Sequence, residues 1–319
     1  MNLAEIRNQK ILFACNDWGM GHIMRSIPIM NKLQKQKNEI IFAGSDFQRE
    51  IIFSYFPTIQ TIKYNGHPFN FKGDQKWNLE ILRNLKNLLK GIKSDLAFVK
   101  KTSDYKKITL IISDHRYGFR HPKIPSIFIT HQVNLPLKGS QQMANYWHSN
   151  QLKKYNAIWV LDDENHSYAG KLSTPTIKLP IYYLGIQSRF ERIETDKQDF
   201  ILAVISGPEP YAEQLFHQVI DFAKQSIDTI KCISPISYIN TSLPKNMEVV
   251  NQLTWKEKDE LFYQCKSLIS RSGYTTIMDL AILNKSAMLT PTPGQSEQIF
   301  LVNLHKLSTF DWTFIKDLK

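Results

Sequence analysis

The sequence predicts an α/β protein built on two open, mainly parallel sheets, and three observations carry that expectation. Short apolar runs alternate with longer amphipathic stretches along the whole of its 319 residues. Most of the short runs are unbroken Ile, Leu, Val and Phe, as in strands buried on both faces, and lack the in–out alternation of half-exposed strands. The runs fall into two sets separated by a polar stretch, GIQSRFERIETDKQD, at 185–199. That length suits two ordinary domains, so the expected division is an N-terminal Rossmann-like domain at 1–185 and a C-terminal one at 186–319.

Each element follows from its local pattern. In the first set, strands are expected at 10–15, 39–43, 108–113, 126–130 and 157–161, and in the second at 200–205, 229–233, 247–250, 267–270 and 287–289. Helical periodicity fills the intervals at 22–35, 77–103, 141–154, 211–224, 256–265, 275–283 and 295–307. Pro28 falls inside the first helix and should bend or restrict it, and Gly91 is a candidate break in the long second stretch. Strand–helix alternation in two blocks is the signature of doubly wound sheets.

Composition narrows the class. Apolar residues make up 42% of the chain, enough for real cores, and no apolar run approaches the roughly 20 residues of a membrane-spanning helix. The start of the chain is polar and charged, without a secretory leader pattern. Cys15, Cys232 and Cys265 are odd in number and far apart, which fits a reduced, cytoplasmic protein rather than a disulfide framework or zinc site. The net charge of +11 draws the chain towards an anionic partner, either a nucleotide substrate or the inner face of an acidic membrane, unless it is simply a solvated lysine surface. No nucleic-acid-binding module is recognisable, so nucleic acid is not an expected partner.

The most telling stretch of the first half is NDWGMGHIMRS, where the first strand turns into the first helix. Gly19 and Gly21 allow a tight turn and close approach of a ligand, and a helix start attracts anions. Met24 stands where the dinucleotide fingerprint needs its third glycine, and no P-loop lysine pattern occurs, so neither of those cofactor sites is expected. His22 lies at the mouth of this turn, where open α/β sheets bind ligands, and an imidazole there can serve as a general base. On position alone it could equally be a helix-start histidine facing solvent. Asp114, just after an apolar run in LIISDHRYG, could fix the imidazole tautomer or merely cap a turn. A third strand end, FITHQVN, brings His131, Gln132 and Asn134 to the same level.

The second half carries two further strand–turn–helix junctions. In VISGPEPYAE the turn at Ser206 and Gly207 repeats the geometry of an anion site, with a helix opening at Glu209 or Pro210. In LISRSGYTTIMDLAILNKSAMLTPTPGQSEQ, Ser272, Gly273, Thr275 and Thr276 offer hydroxyls and backbone N–H groups for a pyrophosphate, or simple helix caps. Asp279, further along that helix, could accept from a ribose diol, and Glu297 and Gln298 from sugar hydroxyls. The acidic run LDDEN at 161–165 lacks the alternation of an Asp-x-Asp metal motif and reads as a helix start; no metal site is expected.

These motifs, in this order, resemble the GT-B glycosyltransferases, and in particular the branch joining the lipid-linked N-acetylglucosaminyltransferase of peptidoglycan synthesis to the UDP-glycosyltransferases. Gly19, Gly21 and His22 match the Gly-x-Gly-His turn of that branch; Gly273, Thr276 and Asp279 match its small-Gly-x-x-(Ser/Thr)-x-x-acid signature; Glu297-Gln298 match its acid/amide-Gln pair. THQVN is similar to the His-Glu-Gln-Asn stretch of the peptidoglycan enzyme. The resemblance implies two Rossmann-like domains facing across a cleft, His22 as base supported by Asp114, and an acceptor held by Gly19, Gly21, His131, Gln132 and Asn134. It implies a nucleotide-sugar donor, UDP-linked, held by Ser206, Gly207, Arg271, Ser272, Gly273, Thr275, Thr276, Asp279, Glu297 and Gln298. Transfer would be inverting and independent of metal or other cofactor, to a saccharide or lipid-linked acceptor. A nucleotide-sugar hydrolase or 2-epimerase, or a non-catalytic nucleotide-sugar-binding protein, would use the same scaffold. Three departures stand out: Arg271 where a phosphate-binding histidine is common, Asp279 in place of glutamate, and SGPEP in place of a glycine-rich loop. The chain ends soon after Gln298, so the helix that commonly returns to the first domain is expected to be short or absent.

Overall fold

The computed structural model describes residues 1–17, 19–66, 83–136, 141–193, 195, 198–234, 242–306 and 311–314. They form two compact units, and the chain passes from the first to the second between Arg189 and Phe190.

The first unit is built on seven parallel strands: β1 (Lys10–Cys15), β2 (Glu39–Gly44), β3 (Gln60–Lys63), β4 (Leu110–Asp114), β5 (Ser126–Thr130), β6 (Ala157–Val160) and β7 (Ile181–Tyr183). They lie in the order β3-β2-β1-β4-β5-β6-β7. The Ile, Phe and Ala side chains of the central strands are buried on both faces, as the unbroken apolar runs require. Against the sheet pack helices α1 (Met20–Lys35), α2 (Asp46–Tyr55), α3 (Leu85–Lys106) and α4 (Gln141–Leu152). One core cluster joins Leu12 and Ala14 of β1, Ile41 and Ala43 of β2, Ile111 of β4 and Val99 of α3. Gly91 does not break α3: it is buried inside the continuous helix. Close approach is instead accommodated at Gly118, where a Cβ would sit 2.3 Å from the carbonyl oxygen of Ile92. The expected start of α3 at residue 77 lies outside the described residues. Pro28 is tolerated within α1, and two residues before it the Ser26 hydroxyl donates to the His22 carbonyl (2.8 Å).

Helix α2 was not expected from periodicity. Its start is a reciprocal capping box, with Ser45 accepting from the Gln48 N–H and Gln48 accepting in return. The LDDEN run is not a helix start either. Asp162 is fully buried, and its carboxylate accepts from the N–H groups of Asp163, Tyr168 and Ala169 and from the Ser173 hydroxyl, all within 3.0 Å. It organises a turn rather than charging a helix end.

The second unit repeats the scheme with six parallel strands: β8 (Phe200–Val204), β9 (Thr229–Ile233), β10 (Met247–Val249), β11 (Ser267–Arg271), β12 (Ser286–Thr290) and β13 (Trp312–Phe314). Their order is β10-β9-β8-β11-β12-β13. Its helices are α5 (Tyr211–Gln225), α6 (Trp255–Gln264), α7 (Tyr274–Leu283) and α8 (Ser296–His305). Leu215, Phe216 and Val219 of α5 close one face over Ile201, Ala203 and Ile230. Among the described residues no helix is long and apolar enough to cross a membrane.

In both units the winding direction reverses beside the first strand, between β1 and β4 and again between β8 and β11. The connections on either side of such a reversal leave in opposite directions and open a crevice at the strands' carboxyl ends. The glycine-bearing turns of the sequence follow these four strands.

Candidate active site

The crevice of the first unit is made by register. Cys15 at the end of β1 pairs with Asp114 at the end of β4, and the Asn16 N–H donates to the Asp114 carbonyl (2.9 Å). Asp114 is thus the last residue of its strand rather than the first of the loop. Gly19 then caps α1 at φ 149°, in the region that favours glycine, with nothing within 4 Å of where a Cβ would stand. Backbone conformation, not space, demands glycine there. The turn delivers Gly21 and His22 in the first turn of α1, and His22 Nδ1 lies 2.9 Å from Asp114 Oδ1.

His22 does not face solvent: 19% of its side chain remains exposed, while the carboxylate it meets is wholly buried. The buried negative charge is balanced by Arg25, one helical turn after His22. Arg25 Nε donates to Asp114 Oδ2 (2.7 Å) and Nη2 to Oδ1, a bidentate ion pair. The same Nη2 is 2.8 Å from His22 Nδ1, and Nη1 is 3.0 Å from His131 Nδ1. Burial alone would raise the Asp114 pKa, but the Arg25 charge, followed by His22, overcomes it and holds the carboxyl well below the ordinary range. Burial first, and then the Arg25 charge, lower the His22 pKa; Asp114 pulls the other way and is outweighed. His22 is therefore neutral at neutral pH, as a general base must be. His115, whose ring centroid is 5.5 Å from that of His22, is pushed well down by burial and by the charges of His22 and Arg25.

Arg25 was not anticipated. The available signal was a lone cation inside the apolar run HIMRSIPIM, since a charge on a buried helix face requires a buried partner.

The third strand end is also drawn in. His131 and Gln132 follow β5 and are buried. Gln132 is anchored by its own backbone: its N–H donates to Thr130 Oγ1 (2.8 Å), and its carbonyl accepts from His148 Nε2 (2.9 Å). His148 Nδ1 in turn accepts from the Tyr117 hydroxyl (2.7 Å). Asn134 stands apart in role, because its amide donates to the carbonyls of Lys171 and Thr174 and ties down the neighbouring turn.

Both ring nitrogens of the neutral His148 imidazole are satisfied, and burial lowers its pKa from 6.5 to about 4. The unfolded chain takes up this proton near the ordinary value and the folded chain only near 4. This stabilisation is complete above about pH 6.5 and is lost as pH falls through 4, about 3 kcal/mol in all. Urea unfolding at pH 7 and pH 4.5 is expected to show a less stable first unit at the lower pH, and His148→Leu to flatten the dependence. Equal wild-type stability at both pH values would contradict the assignment.

In the second unit the crevice lies beside β8 and β11, where Val204 pairs with Ser270. Gly207 turns the chain after β8 at φ 110°, again with open space around the Cβ position, and α5 begins at Tyr211, where its periodicity places it and just after the opening read at Glu209 or Pro210. Gly273 caps α7 without a side-chain bond, so Ser272, Thr275 and Thr276 do not serve as its N-cap, and Thr275 and Thr276 lie in its first turn. Ser272 is fully buried with its hydroxyl unpartnered.

Arg271 is placed differently from the expectation of a phosphate ligand. It closes β11 as a buried side chain, and its Nη1 and Nη2 donate to the carbonyls of Pro291 (3.2 Å) and Tyr211 (2.8 Å). It staples the start of α5 to the loop after β12, and its Nε remains unpartnered. Burial lowers its pKa to about 10, which leaves it charged. Gln298 likewise braces this loop, since its Oε1 accepts from the Thr292 N–H (2.6 Å). Glu297 precedes it in the first turn of α8, Asp279 is buried on α7 one turn beyond Thr276, and Ser206 is half-buried at the head of the Gly207 turn. Among the described residues no group of three or more His, Cys, Asp or Glu side chains is arranged to hold a metal ion.

Two units, each with the 3-2-1-4-5-6 strand order and a ligand crevice at its reversal, constitute the GT-B fold of glycosyltransferases. The solved structures similar to this chain share that fold. A spinosyn rhamnosyltransferase, SpnG, complexed with spinosyn aglycone, aligns with a TM-score of 0.63 at 11% identity over 97% of this chain and 86% of that one. The glycosyltransferase SnogD from Streptomyces nogalater aligns at 0.62 and 10% identity over 96% and 87%. The calicheamicin glycosyltransferase CalG4 aligns at 0.57 and 11% identity over 97% and 86%. No protein-family profile matches the chain. No curated protein matches it in sequence.

Proposed function

We propose that the protein is a glycosyltransferase that moves a sugar from a nucleotide-sugar donor to an acceptor hydroxyl, with the acceptor bound by the first unit and the donor by the second. The observation that carries this reading is the part-buried His22–Asp114 contact of 2.9 Å at the first strand–helix turn. Asp114 accepts the Nδ1 proton and leaves the Nε2 lone pair for the acceptor. His22 Nε2 takes the hydroxyl proton as the acceptor oxygen forms its bond to the anomeric carbon. The bond from that carbon to the diphosphate oxygen breaks, and its electron pair leaves with the nucleoside diphosphate. The products are a glycoside, a nucleoside diphosphate and an imidazolium paired with Asp114. A single displacement of this kind inverts the anomeric centre.

On the donor side, the uncapped start of α7 and the unpartnered Ser272 hydroxyl suit an anionic diphosphate, and Arg271 supplies a positive charge behind them. These donors stabilise the leaving group without a metal ion. A rhamnosyltransferase of similar fold is complexed with thymidine diphosphate, which supports a pyrimidine nucleoside diphosphate as the leaving group, UDP being the expectation from sequence. A saccharide or lipid-linked acceptor at a membrane surface fits the net charge of +11.

The test is a stability screen of the full chain against UDP, thymidine diphosphate and their sugars, followed by product analysis. A ligand present at 100 times its Kd is expected to stabilise the protein by about 2.7 kcal/mol. With an accepted sugar donor, transfer should persist in excess chelator and give the inverted anomer. No stabilisation by any nucleoside diphosphate at millimolar concentration would overturn the reading.

A further inference from the structure

We infer that Arg25 is the positioning residue of this site: its one guanidinium occupies both oxygens of Asp114 and reaches Nδ1 of His22 and of His131, so that it keeps His22 an uncharged base and fixes the His131 proton on Nε2. The inference rests on the reading of His22 as the base and adds a residue to it.

The argument is one of donor and acceptor capacity. A guanidinium has N–H donors and no lone pair to offer. His131 Nδ1, 3.0 Å from Arg25 Nη1, must therefore accept, which puts the His131 proton on Nε2. The Gln132 amide nitrogen, also a donor, lies 3.3 Å from His131 Nε2, so a neutral ring can accept from only one of the two, and the Arg25 contact at 3.0 Å is the shorter. His131 thus becomes a donor of fixed direction while His22 is the acceptor beside it.

At His22 the geometry sets up a competition. Nδ1 lies 2.9 Å from Asp114 Oδ1 and 2.8 Å from Arg25 Nη2. It can donate to the carboxylate or accept from the guanidinium, but not both. Were Asp114 alone, its full charge would favour the imidazolium. With both oxygens neutralised by Arg25, the carboxylate orients the ring without charging it. Among the described residues, the charged and titratable groups around the ring are Arg25 on α1, Asp114 at the end of β4, His115 after it and His131 after β5; Arg25 and His131 oppose a positive charge on His22, and Asp114 favours it.

The test is a titration of the full-length protein labelled with 15N-histidine, with no nucleotide or acceptor present. Wild-type His22 is expected to titrate below the ordinary histidine value of 6.5, and His131 to show the Nε2–H tautomer. Arg25→Gln should raise the His22 midpoint by about one pH unit or more and mix the His131 tautomers. Arg25→Lys keeps a cation for Asp114 but loses the fork, and should move both readouts in the same direction by less. In turnover, the acid limb of kcat/KM should shift upward with the His22 midpoint, a change that lost packing alone would not produce. A wild-type His22 midpoint at or above 6.5, or an unchanged midpoint in Arg25→Lys, would overturn the inference even if Arg25→Gln fails to fold. Because the titration needs no turnover, its result stands apart from whether sugar transfer is found.

Discussion

His22→Ala is expected to slow sugar transfer by about 10²–10⁴-fold while nucleoside diphosphate affinity stays within about twofold of wild type. The size follows from what the side chain does. Among the described residues, the neighbouring imidazoles are engaged elsewhere, His115 Nδ1 by the Thr130 hydroxyl and His131 Nδ1 by Arg25. The selectivity follows from location: His22 belongs to the first unit, and the proposed donor cradle around Gly273 to the second. The fold should tolerate the change, since Asp114 retains both bonds to Arg25 and the truncation removes a partly exposed ring. Initial rates with a saturating donor, alongside calorimetry with the nucleotide, measure the two quantities separately. Full turnover in the variant would remove His22 from the chemistry.

Asp114→Ala should be a folding mutation first and a catalytic one second. The side chain is wholly buried, and its loss takes from the Arg25 guanidinium, itself 2% exposed, the carboxylate that grips it at two nitrogens. Breaking a buried ion pair from one side costs about 3–5 kcal/mol, which corresponds to a melting temperature lower by about 10 °C for a unit of this size. Asp114→Asn keeps the shape and one acceptor oxygen and should lose less stability, yet it still fails to support a protonated His22. The pair of variants separates the two roles: urea unfolding of the first unit should rank wild type above Asn above Ala, whereas transfer should be strongly reduced in both. An Asp114→Ala protein as stable as wild type would mean that the Arg25 charge is met by something other than this carboxylate.

The sheets were legible because strands buried on both faces leave unbroken apolar runs such as KILFAC and LIISD. Three of the four edge strands were not: β3, β7 and β13 are three or four residues long, and β3 and β7 are only partly buried, so they leave little pattern to read. Helix α2 went unread because its apolar face is short, although Ser45 and Gln48 spell a capping box. His22, Asp114 and His131 could be picked out as polar residues at strand ends, where the topology gathers side chains. Arg25 could not be picked out by that logic, since it sits within a helix and meets Asp114 across 89 residues of sequence. Arg271 and Gln298 carry a second role that their residue types do not announce. Their residue types suit a ligand, but a strand-final position and a loop in need of a brace turned them towards backbone carbonyls and N–H groups.

The order in which the first sheet pairs also sets a schedule for synthesis. β1 finds β2 early, but its other edge waits for β4, and Ile11 meets Leu110 only after about a hundred intervening residues have left the ribosome. At about 5–20 residues per second that delay is several seconds or longer. For that time the strand carrying the glycine turn has one open edge, which exposes unpaired backbone and apolar side chains of the nascent chain until Asp114 arrives. The residue that orients the imidazole is therefore also the one whose emergence lets the central strand close.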